Sequence, residues 1–193
     1  MNQYHKINSL FKRSTEWEFT EKVDGTNIRV MYHPAFTDGN PDAVVLFGGK
    51  TDNAQIPANL VNKLKELFPL GKFRDFDSEL CLYGEGYGAN IQKGGGNYIS
   101  NGVDFVLFDV KIGDWWLKRV DVEDIATKLS VQVVPIIGRG TLEDMIDLCD
   151  KGFKSQWGDF IAEGIVARPV VELRDRAGHR IITKLKHKDF KDV

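Results

Sequence analysis

Seven short runs rich in β-branched and aromatic residues, set apart by turn signals, limit what this chain can become. They are "WEFT" (17–20), "IRVMY" (28–32), "AVVLF" (43–47), "ELCLYG" (79–84), "FVLFDVKI" (105–112), "GIVAR" (164–168) and "RIITKLK" (180–186). Between them, "TDGNPD" and "KGGGN" mark loops, and "LRDRAGHR" (173–180) reads as a hairpin turn. The runs do not alternate regularly with helical segments, so the expected class is α+β with antiparallel sheets and flanking helices rather than a parallel doubly wound sheet. Three helices are expected. In 58–68, Leu60, Leu64 and Leu67 share a face, with Pro57 placed for a first turn. In 121–130, Val122, Ile125, Ala126 and Leu129 recur at helical spacing behind Asp121 as N-cap. In 141–150, Leu142, Met145, Ile146 and Cys149 do the same, and "TLED" resembles a capping box.

A chain of 193 residues is most economically one domain with an adequate core. Its formal charge of −2 argues against binding polyanions by bulk charge, but the charge is unevenly spread. Segments 121–130 and 141–150 are acidic, whereas the last twenty residues carry Arg174, Arg176, Arg180, Lys184, Lys186, Lys188 and Lys191. That basic stretch suits a nucleic acid and equally suits a solvated face. Cys81 and Cys149 have no metal or redox spacing and lie in apolar runs, as core thiols of a reducing compartment would. The opening "MNQYHKINSLFKRS" has no apolar leader core, and no stretch approaches a membrane span. The expectation is a soluble, cytoplasmic protein.

Several familiar chemistries lack their residues: there is no GxxxxGK[ST] loop, no CxxC pair and no HExxH, and His5, His33, His179 and His187 are scattered. The glycine-rich "GEGYGANIQKGGGNY" (84–98) reads as a loop lying over something. What remains is a set of lysines and acids beside strands. Lys22 precedes the tight turn Asp24-Gly25, where backbone can approach a ligand closely; taken alone, such a lysine is an ordinary surface charge. Glu85 lies between glycines after an apolar run, and Glu163 lies just before one. Lys184 and Lys186 are two apart on a strand and share a face, either a solvated face or a clamp on phosphate oxygens.

Taken in order, "EKVDGTN", "GGKTDN", "YGEGYG", "DFVLFDV", "AEGIVARP" and "TKLKHK" resemble the motifs of covalent nucleotidyltransferases, the ATP-dependent polynucleotide ligases and mRNA capping enzymes. "GANIQK" and "PIIGRG" are similar to stretches of the RNA ligase 2-like branch, and the resemblance runs from about Trp17 to Phe190. It implies an antiparallel nucleotidyltransferase domain with a nucleotide cleft, using ATP and Mg2+ or Mn2+. It implies that Lys22 attacks the α-phosphate and becomes a lysyl-AMP phosphoramidate. A free lysine has a pKa of about 10.4, so attack needs neighbouring cations, here Lys184, Lys186 and the metal, to favour the amine. By the same resemblance Glu85 contacts the ribose, Phe108 stacks on adenine and Glu163 helps to hold the metal. Lys184 and Lys186 contact the α-phosphate, and Glu21 and Asn27 border the nucleotide. Phe105, Val23, Ile28 and Ile165 are left as core.

The chain departs from the branch in three ways. Lys50 stands where arginine is usual, keeping charge but losing the bidentate fork. Asp24 stands where the branch has histidine, and DNA ligases and capping enzymes have aspartate. The sequence ends a few residues after the last motif, without the C-terminal or OB-fold domain usual in the family, which disfavours a capping enzyme or conventional DNA ligase. The expected activity is therefore RNA ligation, joining 3′-hydroxyl and 5′-phosphate ends at a nick or bridged duplex as in RNA repair, with an accessory protein serving in place of the missing domain. The alternatives are a DNA or mixed polynucleotide ligase, and a non-catalytic nucleotide or RNA-end binding module.

Overall fold

The computed structural model describes residues 16–35 and 42–190. The N-terminal stretch, most of "TDGNPD" and Lys191 lie outside the described residues. The chain divides into two units, Asp24–Val133 and a second made of the segments ending at Val23 and starting at Val134.

The Asp24–Val133 unit is a six-stranded sheet with helices on one face. Its strands are β2 (Thr26–His33), β3 (Val44–Gly48), β4 (Leu80–Gly88), β5 (Val103–Ile112), β6 (Trp115–Trp116) and β7 (Gln132–Val133). The order is β3-β2-β4-β5-β6, all antiparallel, with β7 pairing parallel to β5. Alternation along the strands decides the faces. Ile28, Val30 and Tyr32 of β2, with Leu80 and Leu82 of β4, are buried on one side. There they join Leu60 and Leu64 of helix α1 (Ala58–Leu67) and Val122, Ile125, Ala126 and Leu129 of α3 (Arg119–Leu129). Phe105 belongs to this core, as expected, meeting Phe68 edge-on at 5.3 Å. The opposite face carries Asn27, Arg29 and Met31 of β2, level with Glu85, Tyr83 and Cys81 of β4.

The second unit is a four-stranded antiparallel sheet, β10-β9-β1-β8. It comprises β1 (Trp17–Lys22), β8 (Ile136–Gly140), β9 (Gly164–Pro169) and β10 (Thr183–Lys186), with helix α4 (Leu142–Lys151). Trp17, Phe19, Ile165 and Ala167 pack with Met145 and Cys149 of α4 in a smaller core. Thr141 caps α4 with both halves of the expected box: its Oγ1 accepts from the Asp144 amide at 3.1 Å, and Asp144 Oδ2 accepts from the Thr141 amide at 2.7 Å.

The departures are local. Lys118, not Asp121, is the N-cap of α3, because its extended backbone lets its carbonyl accept from Val122; Asp121 sits in the first turn, where the helix dipole favours an acid. Pro57 likewise stands at the cap of α1 rather than inside its first turn. "PIIGRG" supplies a strand that its glycines concealed. The run expected at 180–186 shortens to Thr183–Lys186, and residues 173–181 form the expected turn, closed by Asp175 accepting from the His179 amide. Cys149 is buried, but Cys81 faces the polar side of its sheet and is only half-buried.

Candidate active site

Lys22 is the last residue of β1, and register gives it its neighbours. On β9 it stands opposite Gly164, which on its other side stands opposite Lys186 of β10. One glycine thus separates two lysines on one face of the sheet. A Cβ at that position would collide with the Leu185 carbonyl, so no side chain fits. The residue before it, Glu163, takes both lysines: Lys22 Nζ donates to its Oε2 at 2.5 Å and Lys186 Nζ to its Oε1 at 2.7 Å. The carboxylate is 15% exposed and Lys22 17%, so the pair is shielded but reachable. The next residue closes the arrangement, since the His187 amide donates to the Glu163 carbonyl at 2.9 Å. Lys184, two residues from Lys186 on the same face, stands opposite Val166 and is exposed.

Glu21, adjacent to the nucleophile candidate, points the other way. It is 1% exposed on the core side of β1, where Ser155 Oγ donates to Oε1 at 2.6 Å and the Gln156 amide to Oε2 at 2.8 Å. Burial pushes this carboxyl up from its ordinary value, and the two donors pull it part of the way back. The side chain that the resemblance puts at the border of a nucleotide anchors residues 155–156. Those residues begin the loop that returns to Glu163, with Ser155 N donating to the Phe160 carbonyl and Ala162 N to that of Phe153. Glu18, on the polar face of β1, is paired at 2.8 Å with Arg139 of β8.

In the Asp24–Val133 unit, Asn27 of β2 stands opposite Glu85 of β4, in mid-strand rather than at a strand end. Phe108 falls where the β4–β5 register shifts: Tyr83 pairs with Asp109 and Gly84 with Leu107, leaving Phe108 as the extra residue of a bulge, a device that re-aims a side chain. The turn after β1 is held by the glycine-rich segment, which answers what that segment lies over. Tyr98, in the one-turn helix α2 (Gly95–Tyr98), accepts from the Asp24 amide at 3.1 Å, and Gln92 donates to the Gly25 carbonyl at 3.1 Å. Gly25 runs so close to Gly86 that a Cβ there would meet its carbonyl. Lys50 is exposed in the loop after β3. Burial, with a hydrogen bond to Cys81, pushes the Tyr83 phenol up to about 12, so it stays neutral.

Among the described residues no three His, Cys, Asp or Glu side chains gather as a ready metal cage. One shielded carboxylate suits an ion that takes its other ligands from phosphate and water, as Mg2+ commonly does. No helix among the described residues is long and apolar enough to cross a membrane.

The fold is that of an RNA ligase nucleotidyltransferase. It superposes on the Naegleria gruberi RNA ligase with PPi at a TM-score of 0.71 and 20% identity, over 96% of this chain and 54% of that one. A variant of that ligase with ATP and Mn gives 0.71 and 19%, over 100% and 55%. This chain thus spans about half the length of the Naegleria protein. No curated protein matches it in sequence. The RNA ligase family model covers residues 15–186, and the chain belongs to that family.

Proposed function

We propose that this chain is the adenylyltransferase core of an ATP-dependent RNA ligase, working as one domain, with Lys22 as the nucleophile. The observation that carries the reading is the Glu163 carboxylate shared by Lys22 and Lys186 across Gly164. A lysine kept at the surface for solubility has no use for a shielded partner, a second lysine on that partner, and a glycine that keeps the gap open.

In the first step the Lys22 nitrogen bonds to the α-phosphorus of ATP while the bond to the bridging oxygen breaks and pyrophosphate leaves. The nitrogen must also give up a proton, and Glu163 Oε2 already accepts its hydrogen bond. Lys186, on the other oxygen of the same carboxylate, competes with Lys22 for it and supplies positive charge for a phosphate oxygen. Lys184 adds a second cation on that face. Glu163 is the residue to hold a divalent ion, Mg2+ or Mn2+, which when bound would draw charge from the phosphate. Glu85, Phe108, Asn27 and Lys50 contact the nucleotide in this reading, the first at the ribose and the second on the base. Glu21 serves through its anchoring of residues 155–156. AMP then passes to an RNA 5′-phosphate, and a 3′-hydroxyl displaces it to seal the ends. The matched structures support the nucleotide and metal, since the Naegleria ligase is described with ATP and Mn.

The test is intact-protein mass after incubation with ATP and magnesium or manganese, beside Lys22→Ala and a GTP control. A gain of one AMP that requires Lys22 is expected. A folded protein that gains nothing with any divalent ion overturns the reading and leaves a binding module. Matched RNA and DNA nicks then decide the acceptor.

A further inference from the structure

We infer that Arg29 is a positioning residue that presents Lys50, an inference that rests on the nucleotide role of Lys50 proposed above. Arg29 lies on β2 opposite Gly48 of β3 on one side and Tyr83 of β4 on the other. Its guanidinium crosses the Gly48 backbone to the loop that follows. There Nε donates to the Gly49 carbonyl at 2.8 Å and Nη2 to Asp52 Oδ1 at 2.7 Å. The two bonds end on the residues that flank Lys50 and Thr51, so a rigid planar fork brackets the short segment that carries the exposed lysine.

The rest of the loop fits this arrangement. A Cβ at Gly48 would stand 3.2 Å from Nη2, so the glycine leaves the guanidinium its path. The loop turns back on itself, with the Ala54 amide donating to the Thr51 carbonyl at 3.1 Å. Gly49 lies so close to Ala54 that their Cβ atoms would be 2.6 Å apart, and it stands 3.7 Å from the Asn27 carbonyl by the same construction. The lysine is thus offered beside the start of β2, where Asn27 faces Glu85. Arg29 itself is 21% exposed, whereas Asp52 is 92% exposed and has little to do but hold the fork.

Lysine at position 50 has no fork of its own and four rotatable bonds. An ammonium on so long a stem contributes to phosphate or sugar recognition only if its backbone is fixed. Arg29 supplies that fixity from the neighbouring strand, and so offsets part of what the lysine lacks.

The test combines nucleotide transfer with a readout free of nucleotide. Labelling of Lys22 by ATP is followed across ATP concentrations for wild type, Arg29→Met, Arg29→Lys, Asp52→Ala, Lys50→Ala and the Arg29→Met/Lys50→Ala double variant. Arg29→Met is expected to raise the ATP concentration for half-maximal labelling on the order of ten-fold, as loss of charged hydrogen bonds does. Arg29→Lys should recover only part of the loss, and Asp52→Ala should show a smaller shift of the same kind. In the Lys50→Ala background, Arg29→Met should add less than about two-fold. A full additional loss in that background, or no shift from Asp52→Ala and Arg29→Met alike, overturns the inference. Trypsin cleavage after Lys50 should quicken in Arg29→Met and Asp52→Ala whether or not the protein takes AMP, and unchanged cleavage in both also overturns it. A wild type that never takes AMP refutes the ligase reading instead, and the cleavage arm still shows whether the fork holds the loop. If Arg29→Met does not fold, Asp52→Ala, a change at an exposed side chain, carries the same comparisons.

Discussion

The two sheets of this protein use charged residues in opposite ways. In the four-stranded sheet, Lys22, Glu163 and Lys186 bind one another, so the charges that could do chemistry sit ready in a mutual ion pair. In the six-stranded sheet, the best-placed cation, Arg29, is tied to a carbonyl and to Asp52, so its charge shapes backbone. The supporting cores differ as well. Among the described residues sixteen buried side chains form the core of the larger sheet and six that of the smaller. A thin core cannot hold a strand as firmly by packing alone, and buried polar anchors such as Glu21 with Ser155 take over part of that work. The sheet with the nucleophile candidate is therefore held more by specific hydrogen bonds, and the other more by bulk apolar burial.

The comparison is tested most severely at Glu163. Glu163→Gln keeps size but cannot hold two ammonium groups, and labelling of Lys22 is expected to fall on the order of 100-fold with little change in melting temperature. A large stability loss with labelling intact would mean that the pair is structural. Next come the cores: Phe105→Ala should lose about 3–5 kcal/mol and Met145→Ala about 2–5 kcal/mol in denaturant unfolding. Per unit of stability lost, Met145→Ala should reduce labelling more, because its core lies directly beneath β1. Equal ratios would erase the distinction between the sheets.

Glu21 gives a pH test. Its folded value is raised by burial, so the folded protein holds this proton more tightly than the unfolded chain does. The stabilisation linked to that proton is full below the ordinary glutamate range and is lost as pH rises through the raised folded value. Unfolding of wild type and Glu21→Gln from pH 4 upward should show the wild type losing ground to the variant across that window and then running parallel. At neutral pH, Glu21→Gln should cost about 1–3 kcal/mol through the weakened bonds to Ser155 and Gln156. The smallest effect is expected at the start of α4, where Thr141→Ala should cost about 1 kcal/mol and leave labelling unchanged.

Much of this was legible in the sequence. The strand runs, the antiparallel class and the α4 capping box follow from short-range pattern, and the motif resemblance grouped Lys22, Glu85, Glu163, Lys184 and Lys186, of which ion pairs join Lys22, Glu163 and Lys186. The anchors were not legible, because they join residues far apart in the chain. Glu21 meets Ser155 across 134 positions and Glu18 meets Arg139 across 121, and neither partner has a local signature. Arg29 is only 23 positions from Asp52, but it sat in a strand motif where nothing distinguished a fork from an ordinary polar-face residue. For Glu21 the motif resemblance gave no hint of the Ser155 and Gln156 bonds, because alternation along a strand sends its side chain to the face opposite that of Lys22.

Gly164 has one more consequence, for how this chain can go wrong. The partner of Lys22 is chosen by which residue of β9 comes to rest opposite it, and a slip of one position would bring Ile165 there and turn every side chain of β9 over. Such a molecule could keep much of its secondary structure while its lysine faced a hydrocarbon. The collision that any Cβ would suffer at position 164 favours the one alignment in which the glycine meets both lysines. Correct assembly and chemical competence are thereby inspected at the same point, so the fraction of a purified sample that accepts AMP would also measure the fraction that folded in register.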